Sequence, residues 1–446
     1  MVKASLKKVF IKNFKSLHDC EIDIGKMNVV VGANASGKSN LIEAFRLLKK
    51  IYVEKDPFPF LEWWGYNNVV WQRKEELPII IGLLFDIEGY DVYFETNFTG
   101  MGGKFQILRE VLDIKGYLKF EKKGEWTSVK HDGKFIDAVI EKPQKHNLSS
   151  EGKTLISKHK DNLIKEAKIN WGEFPNLLEL IEDFKATNEY NNIKEKNAPK
   201  ISYEKIDVWE ILAPVIMVRR YKEIEIEKYE NIYAVSSKRI LLTLEKLSVL
   251  YPLNIRSMKN PQPLRREESL KEDGSNIASV YHTIYLKEGK IPEEIYNPIT
   301  MVFPKIDVRP HLTDDGRVMI KFFEGNFDLL PPNTPDGYYK FLAVLIAIYL
   351  KSPLLIIDEI ENSLHPETLE LILDTIKASD VQAIITTHSP VVVDMTEPDD
   401  MILVEKEQGE SKFKRIKDPD KIRDFLKEKG IKFSVGWLYG ELPHTE

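Results

Sequence analysis

The stretch VVVGANASGKSN, residues Val29–Asn40, is the most informative part of this 446-residue sequence. Three consecutive valines lead to a glycine, and Gly32–Ser39 matches the phosphate-loop pattern G-x-x-x-x-G-K-[ST] at every position. Leu41–Lys50 then places apolar residues at helical spacing. The sequence therefore predicts a loop between a buried strand and a helix N-terminus, a context that favours phosphate binding. The alternative, a chance Gly-Lys-Ser turn, does not explain the flanking strand and helix.

Each residue type in this loop has a chemical reason to be there. Gly32 and Gly37 let the backbone approach a phosphate closely, so that its N–H groups point inward. Lys38 adds a full positive charge for the outer phosphates, and the Ser39 hydroxyl is predicted to ligate Mg²⁺. The residues predicted to bind nucleotide here are Gly32, Ala33, Asn34, Ala35, Ser36, Gly37, Lys38, Ser39 and Asn40.

The composition argues against several classes of protein. A net charge of −6 argues against a uniformly basic nucleic-acid coat, although a local basic groove stays open. Cys20 is the only cysteine, so neither an internal disulfide nor a cysteine zinc site can form. The N-terminus lacks the apolar core of a signal peptide, and no run of about 18 apolar residues occurs. We expect a soluble, cytoplasmic protein with no membrane partner.

Alternating and apolar stretches on both sides of the loop predict strands. Two of them, Leu6–Phe14 and Cys20–Ile24, precede the loop. Short strands with Gly or Asp in their turns follow the first helix and indicate an antiparallel sheet. These strands are predicted at Pro78–Asp86, Asp91–Phe98, Lys104–Asp113, Tyr117–Glu121 and Glu125–Lys130. We therefore assign residues 1–146 to an N-terminal lobe that contains the phosphate loop and the antiparallel strands.

The composition changes near Lys142. Asn147–Lys200 is rich in Lys, Glu and Asn with apolar residues at helical spacing, and Ser237–Leu250 is a further predicted helix. Val215–Val218 is a strand predicted between them. We assign residues 147–290 to a mostly helical insertion.

The last third, residues 291–446, has a regular pattern and forms the predicted C-terminal lobe. Strands separated by helices indicate a parallel sheet that is covered on both faces, so the fold class is α/β. The elements predicted from residue 277 onwards are helices Ile277–Leu286, Pro292–Val302, Phe341–Leu350 and Pro366–Ala378, and strands Lys305–His311, Arg317–Phe323, Leu354–Ile357, Ala383–Thr387 and Met401–Glu405.

Two carboxylates follow the apolar strand Leu354–Ile357. This Walker B arrangement is expected to place Asp358 beside a phosphate-loop Mg²⁺, and Glu359 where a general base polarises the attacking water. A pair that caps the next helix is the alternative. The phosphate loop upstream favours the catalytic interpretation.

Thr387-His388-Ser389 follows the next apolar strand. A histidine at such a strand end can hydrogen-bond the γ-phosphate or orient the attacking water. A packed or capping histidine is the alternative. The position of His388 in the order of the strands favours the catalytic role.

Together these motifs resemble the ABC-type ATPases of the SMC, RecF and OLD group, and most of all the stand-alone prokaryotic AAA family ATPases. The resemblance is weak over Asn147–Lys271. It implies a P-loop NTPase head of the ABC type with a mixed or parallel sheet, an antiparallel β subdomain and a mostly helical insertion. The residues that carry it are Asn13–Ser16, Gly32–Ser39, Asp273–Asn276, Asp336-Gly337, Asp358-Glu359, Ser363–Pro366 and Thr387–Ser389.

The resemblance also implies roles for individual residues. Glu361–Pro366 becomes the D-loop region and His388 the switch histidine. Catalysis is assigned to Lys38, Glu359 and His388. The metal ligands are expected to be Ser39, Asp358 and Gln72, although a solvent-exposed Gln72 is the alternative. The residues expected near the base and inner phosphates are Asn13, Phe14, Lys15 and Ser16.

The resemblance makes Thr334–Gly337 the signature segment, which in the family binds the γ-phosphate held by the other subunit. Pro335 replaces the usual serine and has neither a hydroxyl nor an N–H to offer. Thr334 is therefore the residue expected to substitute, with Asp336 and Gly337 beside it. The implied protein is an ATP hydrolase that requires Mg²⁺ and that forms a homodimer or a higher even oligomer through shared ATP sites.

Two outputs follow from this interpretation. The first is a nucleic-acid-linked process, for which Lys158–Lys168 and Arg219-Arg220 offer positive charge, although such runs are more often solvated faces. The second is a sensor or regulatory ATPase of an antiviral defence system that acts with a separate effector, such as a nuclease. No toprim-like acidic pattern follows His388, so a built-in nuclease is not expected. The large insertion argues against a transporter subunit.

Overall fold

The computed structural model describes residues 4–136, apart from 88, 116–117, 124–125 and 132–133, and residues 236 and 238–442. They lie in one compact unit, Met1–Asp137 with Glu227–Glu446. A second unit, Ala138–Ile226, lies outside the described residues. So do the predicted helices of Asn147–Lys200, the predicted strand Val215–Val218, and the two basic runs.

The secondary structure follows the sequence pattern over most of the described chain. The strands are β1 (Ala4–Phe14), β2 (Leu17–Asp23), β3 (Met27–Gly32), β4 (Ile79–Ile87), β5 (Tyr90–Thr99), β6 (Gln106–Ile114), β7 (Leu118–Lys123), β8 (Trp126–His131), β9 (Lys134–Ile136), β10 (Ser248–Leu250), β11 (Gln262–Pro263), β12 (Ile306–Leu312), β13 (Arg317–Glu324), β14 (Phe327–Leu329), β15 (Leu354–Ile357), β16 (Gln382–Thr387), β17 (Met401–Glu407) and β18 (Glu410–Arg415). The helices are α1 (Lys38–Tyr52), α2 (Ile255–Lys259), α3 (Ile277–Glu288), α4 (Glu293–Val302), α5 (Asp336–Tyr349), α6 (Pro366–Ala378), α7 (Pro390–Asp394), α8 (Pro419–Lys429) and α9 (Phe433–Leu438). Residues 238–245 are also helical.

A six-stranded sheet lies at the centre of the fold, in the order β10-β15-β16-β3-β17-β18. Its first five strands are parallel, and β18 pairs antiparallel with β17. The phosphate-loop strand β3 lies between β16 and β17, which belong to the opposite end of the chain. The predicted α/β class with a mixed, largely parallel sheet is therefore confirmed.

An antiparallel sheet of eight strands, in the order β2-β1-β4-β5-β6-β7-β8-β9, forms a second layer. It contains all the strands predicted between Leu6 and Lys130 except the phosphate-loop strand β3, with small shifts at their ends. A smaller sheet joins β11, β13, β12 and β14 around the predicted hairpin. The expected antiparallel subdomain is thus present.

Alternate residues of the central strands feed two separate cores. Val29 and Val31 of β3 face a core built with α3, α5 and α6, whereas Val30 faces a core built with α1 and the antiparallel sheet. Leu355 and Ile356 of β15 divide in the same way. Because successive side chains of a strand point to opposite faces, a continuous apolar run is what such a doubly covered sheet requires.

The helix predicted over Ser237–Leu250 is wrong at its end. The helical segment stops at residue 245, and Ser248–Leu250 pairs in parallel with Leu355–Ile357 as the edge strand of the central sheet. Burial of Val249 and Leu250 against that sheet outweighs the local helical spacing. The described residues between 236 and 290, which we grouped with the insertion, therefore lie in the same compact unit as the phosphate loop.

Within the described part of the chain, every helix is too short or too polar to span a bilayer.

Candidate nucleotide site

Three parallel strands bring the predicted site segments to one edge of the central sheet. β3 ends at Gly32, β15 is followed by Asp358, and β16 is followed by His388. The registers Ile357 with Ile385 and Thr387 with Val31 align these strand ends. The carboxyl edge of a parallel sheet is where such folds bind their ligands.

The phosphate loop forms a tight turn around the amine of Lys38. Lys38 Nζ donates to the carbonyl oxygens of Gly32 at 2.7 Å and Ala33 at 2.9 Å. Burial lowers the pKa of Lys38, against the opposing effect of Asp358 and other nearby carboxylates. The Ser36 hydroxyl in the same loop is buried and has no hydrogen-bond partner among the described residues. An inward-directed cation and an unsatisfied hydroxyl fit a loop that is shaped to receive phosphate.

Ser411 on β18 forms hydrogen bonds that stabilise the phosphate loop, a role that the sequence analysis did not identify. Its hydroxyl donates to the carbonyl oxygen of Ser36 at 2.6 Å and lies 2.6 Å from the hydroxyl of Ser16. Its N–H donates to the Ser16 carbonyl oxygen at 2.8 Å. Gly37 has φ +109°, and a Cβ at that position would collide with the Ser411 hydroxyl. The short Glu407–Glu410 turn was the available sequence signal, because it closes a hairpin that leads to Ser411.

A hydroxyl and a carboxylate meet where the predicted metal ligands were expected. The Ser39 hydroxyl lies 3.5 Å from Asp358 Oδ1, and the Thr386 hydroxyl donates to the same oxygen. Burial raises the pKa of Asp358, and the neighbouring Glu359 adds to this effect. Oxygen donors of this kind suit Mg²⁺, and a cation would relieve the cost of keeping Asp358 ionised.

Glu359 is held in a strained conformation by its neighbours. Its φ is +44°, which is unusual for a residue with a side chain. The backbone N–H donates to Thr386 Oγ1 at 2.9 Å, and Asn362 Nδ2 donates to Glu359 Oε2 at 2.6 Å. Such strain persists only where surrounding contacts enforce it, and it is typical of functional positions.

Lys340 on α5 is a site residue that the sequence analysis missed. It is 5% exposed, and its amine donates to the backbone carbonyl oxygen of Glu359 at 2.7 Å. Burial lowers the pKa of Lys340 to about 8, although Glu361, Glu359 and Asp358 act in the opposite direction. A lysine inside an otherwise apolar helix was the sequence signal, since a buried amine requires a partner.

His388 lies against two acidic residues. Its Nδ1 is 3.0 Å from Glu361 Oε1 and 3.9 Å from Glu359 Oε1. Its backbone N–H donates to Glu361 Oε1 at 2.9 Å. The structure thus brings His388 to the carboxylate pair, as the order of strands predicted.

The segment Asn13–Ser16 forms the turn between β1 and β2. Phe14 is fully buried and packs edge-on against Trp63, so its side chain offers no surface to a nucleotide. Lys15 pairs with Glu43 on α1, and its amine lies 5.5 Å from the centre of the Trp63 ring. Asn13 donates to the Pro78 carbonyl oxygen at 2.8 Å. Burial of the Phe14 side chain therefore contradicts its expected contact with the nucleotide. Nucleotide contacts by the other residues of this turn stay predictions.

Ser16 and Asn40 link this turn to the phosphate loop. Asn40 Nδ2 donates to the Ser16 hydroxyl at 2.6 Å. Ser16 itself is 8% exposed. Both side chains therefore stabilise the loop from behind.

The predicted signature segment lies at the N-terminus of α5. Thr334 is 2% exposed, and its hydroxyl donates to the Leu330 carbonyl oxygen at 3.1 Å, so it is already engaged within its own chain. Asp336 pairs with Lys259 at 2.7 Å. A Cβ at Gly337 would collide with the carbonyl oxygen of Ser363 in the predicted D-loop. The segment is thus tied to both α2 and the D-loop region.

Gln72 has no hydrogen bond to the other expected metal ligands among the described residues. It is exposed and lines a polar cavity of about 520 Å³ with His18, Trp71 and Gln408. No hydrogen bond within the described ranges joins it to Ser39 or Asp358. The role of Gln72 stays a prediction.

A phosphate loop, a carboxylate pair and a histidine at one edge of a largely parallel sheet, beside an antiparallel layer, define an SMC/RecF-like P-loop ATPase of the ABC type. The chain belongs to the AAA-domain family. Residues 8–260 match the family described as "AAA domain", and residues 137–394 match that described as "AAA domain, putative AbiEii toxin, Type IV TA system". Each match spans more than half of the 446 residues. P-loop ATPases of this kind use ATP.

The chain also shows measurable similarity to a named relative and to solved structures. The chain is 26% identical over 286 residues to the "DNA replication and repair protein RecF" of Caldanaerobacter subterraneus subsp. tengcongensis, covering 63% of this chain and 70% of that protein. An Smc head bound to the C-terminal winged-helix domain of ScpA has TM-score 0.47 and 13% identity, over 94% of this chain and all of the other. The SMC head from Thermotoga maritima has TM-score 0.38 and 14% identity, over 93% and 99% of the two chains.

Proposed function

We propose that this chain is a Mg²⁺-dependent ATP hydrolase in which two copies enclose ATP at their interface. The observation that carries the proposal is the 3.5 Å contact between Ser39 and Asp358, which joins the phosphate loop to the carboxylate pair. Lys38, Glu359 and His388 lie around the same sheet edge. The sheet edge thus has residues that can bind a triphosphate, coordinate a metal ion and activate a water molecule.

Ser39 and Asp358 would hold the magnesium ion, with Gln72 as a third proposed ligand. When bound, the ion would neutralise charge on the phosphates of ATP. On ATP binding, the protein would replace hydrogen bonds within the phosphate loop by hydrogen bonds to the phosphates. Lys38 would release the Gly32 and Ala33 carbonyl oxygens and turn its amine to the phosphates.

Glu359 is the proposed general base; its backbone has φ +44°, and Asn362 Nδ2 donates a hydrogen bond to its carboxylate. Lys340 below it and Asn362 beside it limit its freedom to move. Proton transfer by a carboxylate held in this way contributes about 10²–10⁴-fold to a hydrolytic rate. The Thr386 hydroxyl accepts a hydrogen bond from the Glu359 N–H and donates one to the Asp358 carboxylate, so it links the proposed base to the proposed metal ligand.

The proposed dimer would place Thr334–Gly337 of one copy against the γ-phosphate held by the other. Because the Thr334 hydroxyl is engaged by Leu330, the N–H groups at the start of α5 are the donors that remain for this contact. ATP binding would join the heads and hydrolysis would separate them, which makes the nucleotide a ligand that selects one of two states.

A nucleic-acid-linked process is the output that we propose first. It is supported by the similarity to a relative named as a DNA replication and repair protein. Positive charge for such a partner would come from the basic runs at Lys158–Lys168 and Arg219-Arg220.

A sensor or regulatory ATPase of an antiviral defence system, acting with a separate effector such as a nuclease, is the second proposal. It is supported by the match of residues 137–394 to the family described with the AbiEii toxin and a type IV toxin–antitoxin system. Copurification distinguishes the two outputs. A bound partner nuclease favours the second, and salt-sensitive DNA binding favours the first.

ATP turnover and oligomer size, measured with and without DNA, test the proposed mechanism. Glu359→Gln should reduce turnover by about 10²–10⁴-fold and accumulate an ATP-bound dimer. Glu370→Gln is the matched control, because it removes an exposed carboxylate on α6 and should change neither quantity. Unchanged turnover in Glu359→Gln removes Glu359 as the base, and a monomer in both proteins under saturating ATP removes the dimer.

A further inference from the structure

Glu361 is a largely buried carboxylate with no role in the proposed hydrolysis so far. Its side chain is 12% exposed and lies between the end of β15 and the end of β16. Glu361 Oε2 accepts a hydrogen bond from the Thr387 hydroxyl at 2.9 Å, and Oε1 accepts one from the His388 backbone N–H at 2.9 Å. One side chain thus ties the segment after Glu359 to the segment that carries His388.

The same carboxylate also faces the imidazole ring. Glu361 Oε1 lies 3.0 Å from His388 Nδ1, whereas Glu359 Oε1 lies 3.9 Å from that nitrogen. An ionised carboxylate only accepts hydrogen bonds. A lone pair on Nδ1 would therefore be repelled at this distance, and a hydrogen on Nδ1 is attracted.

We infer that Glu361 is a positioning residue that holds the His388 ring in the tautomer with hydrogen on Nδ1 and leaves Nε2 as an acceptor. The inference deepens the proposed ATPase mechanism and rests on His388 acting within it. The resemblance placed Glu361 in the D-loop region but gave its carboxylate no role of its own. The assignment depends on the geometry at the two strand ends.

This tautomer decides between the two roles that a histidine can have at such a strand end. A neutral ring with hydrogen on Nδ1 presents a lone pair at Nε2, which can accept a hydrogen bond from the attacking water. The same ring cannot donate to a phosphate oxygen unless it gains a second proton. Neutral His388 therefore orients water alongside Glu359 rather than binding the γ-phosphate.

The surrounding charges are consistent with this arrangement. Glu359 and Glu361 are the acidic groups near the ring, and Lys340 lies beneath Glu359 on α5. The amine of Lys340 is committed to the Glu359 carbonyl oxygen, and Lys38 is committed to the phosphate loop. Among these groups, Glu361 is therefore the one that determines the tautomer of the His388 ring.

Nitrogen NMR of protein labelled with ¹⁵N at histidine tests the inference without ATP turnover. The His388 signals are assigned by comparison with His388→Asn. At alkaline pH, where imidazoles are neutral, we expect hydrogen on Nδ1 in the full-length protein and a change to hydrogen on Nε2 in Glu361→Ala. The inference is overturned if the unsubstituted protein carries hydrogen on Nε2, or if Glu361→Ala leaves the tautomer unchanged.

A second variant covers the case in which Glu361→Ala does not fold. Glu361→Gln retains the shape and an acceptor for the His388 N–H but loses the charge, so ATP affinity should stay and kcat should fall about 10–100-fold. Unchanged kcat in Glu361→Gln overturns the inference. Glu367→Gln is the control, because it also removes a carboxylate beside a histidine, but in an exposed pair. Glu367 Oε2 lies 4.0 Å from His365 Nδ1. If no variant hydrolyses ATP, the proposed function fails, while the NMR result still decides the role of Glu361.

Discussion

The Ser39 hydroxyl lies 3.5 Å from the Asp358 carboxylate and joins the first turn of α1 to the end of β15. The two residues are 319 positions apart in the sequence. Burial raises the pKa of Asp358, and Lys38 only partly offsets that cost. A divalent cation between the hydroxyl and the carboxylate would lower the cost of ionising Asp358. The stability of this contact is therefore coupled to metal binding.

Asp358→Asn should remove the effect of Mg²⁺ on ATP affinity, because the amide keeps the shape but not the charge. ATP affinity is measured by titration calorimetry with Mg²⁺ and with a chelator. In the unsubstituted protein the raised pKa of Asp358 means that protonation competes with the metal at a higher pH than for an exposed aspartate. The Mg²⁺ effect should therefore decline as the pH falls towards that pKa. Asp374→Asn, at an exposed position on α6, is the control, and a full Mg²⁺ effect in Asp358→Asn contradicts the metal assignment.

Lys38→Ala should weaken ATP binding by at least about a hundredfold, or about 3 kcal/mol, because the loop loses its charged donor to the phosphates. Fluorescent ATP binding measures the loss. Lys26→Ala removes an exposed amine that bonds the Lys377 carbonyl oxygen and should leave the affinity unchanged. Affinity that survives in Lys38→Ala would contradict the role of the loop.

Gly37→Ala should destabilise the protein by about 2–4 kcal/mol, because the new Cβ meets the Ser411 hydroxyl and φ is +109°. Urea unfolding measures the change. Gly89→Ala is the matched control, since Gly89 has φ +85° with open space around its Cβ position, and it should cost only about 1 kcal/mol. Equal losses in the two variants would show that the contact with Ser411 has no energetic effect.

Lys340→Met should change how stability depends on pH. Burial lowers the pKa of Lys340 to about 8, below the ordinary value of 10.5. Between these values the unfolded chain binds a proton that the folded chain does not, so the free energy of unfolding rises with pH. The excess stability of the unsubstituted protein over Lys340→Met should therefore grow by about 3 kcal/mol from pH of about 7 to about 10.5. Urea unfolding of both proteins at each pH gives this difference, and a difference that does not change with pH contradicts the buried charge.

The sequence predicted the elements whose residues are close together in the chain. The phosphate loop has a fixed spacing, and the strands on either side of it alternate in a way that the sheet registers confirm. The Walker B strand and the switch strand were equally visible, because each is an apolar run that ends in polar residues. The sequence predicted these strands and a parallel sheet, whereas the order of the strands in that sheet came from the structure.

The contacts that complete the site could not be predicted in this way, because their partners are far apart in the sequence. Ser411 reaches Ser36 across 375 positions. Lys340 is closer to Glu359 in the sequence, and its position in an apolar helix signals that it needs a partner without identifying Glu359 as that partner. The edge strand Ser248–Leu250 looked helical because its spacing was helical, and only pairing with β15 makes it a strand. Phe14 was assigned to the nucleotide by motif, although packing against Trp63 buries its side chain.

The position of β3 in the middle of the central sheet has a consequence for biosynthesis. Its two neighbours, β16 and β17, are translated after most of the chain has left the ribosome. Until then the apolar strand β3 has no partner strand on either edge, and an unpaired apolar strand is prone to aggregate. Nascent chains of this protein should therefore depend on chaperones until Glu407 has emerged, and they acquire a complete nucleotide pocket only late in synthesis.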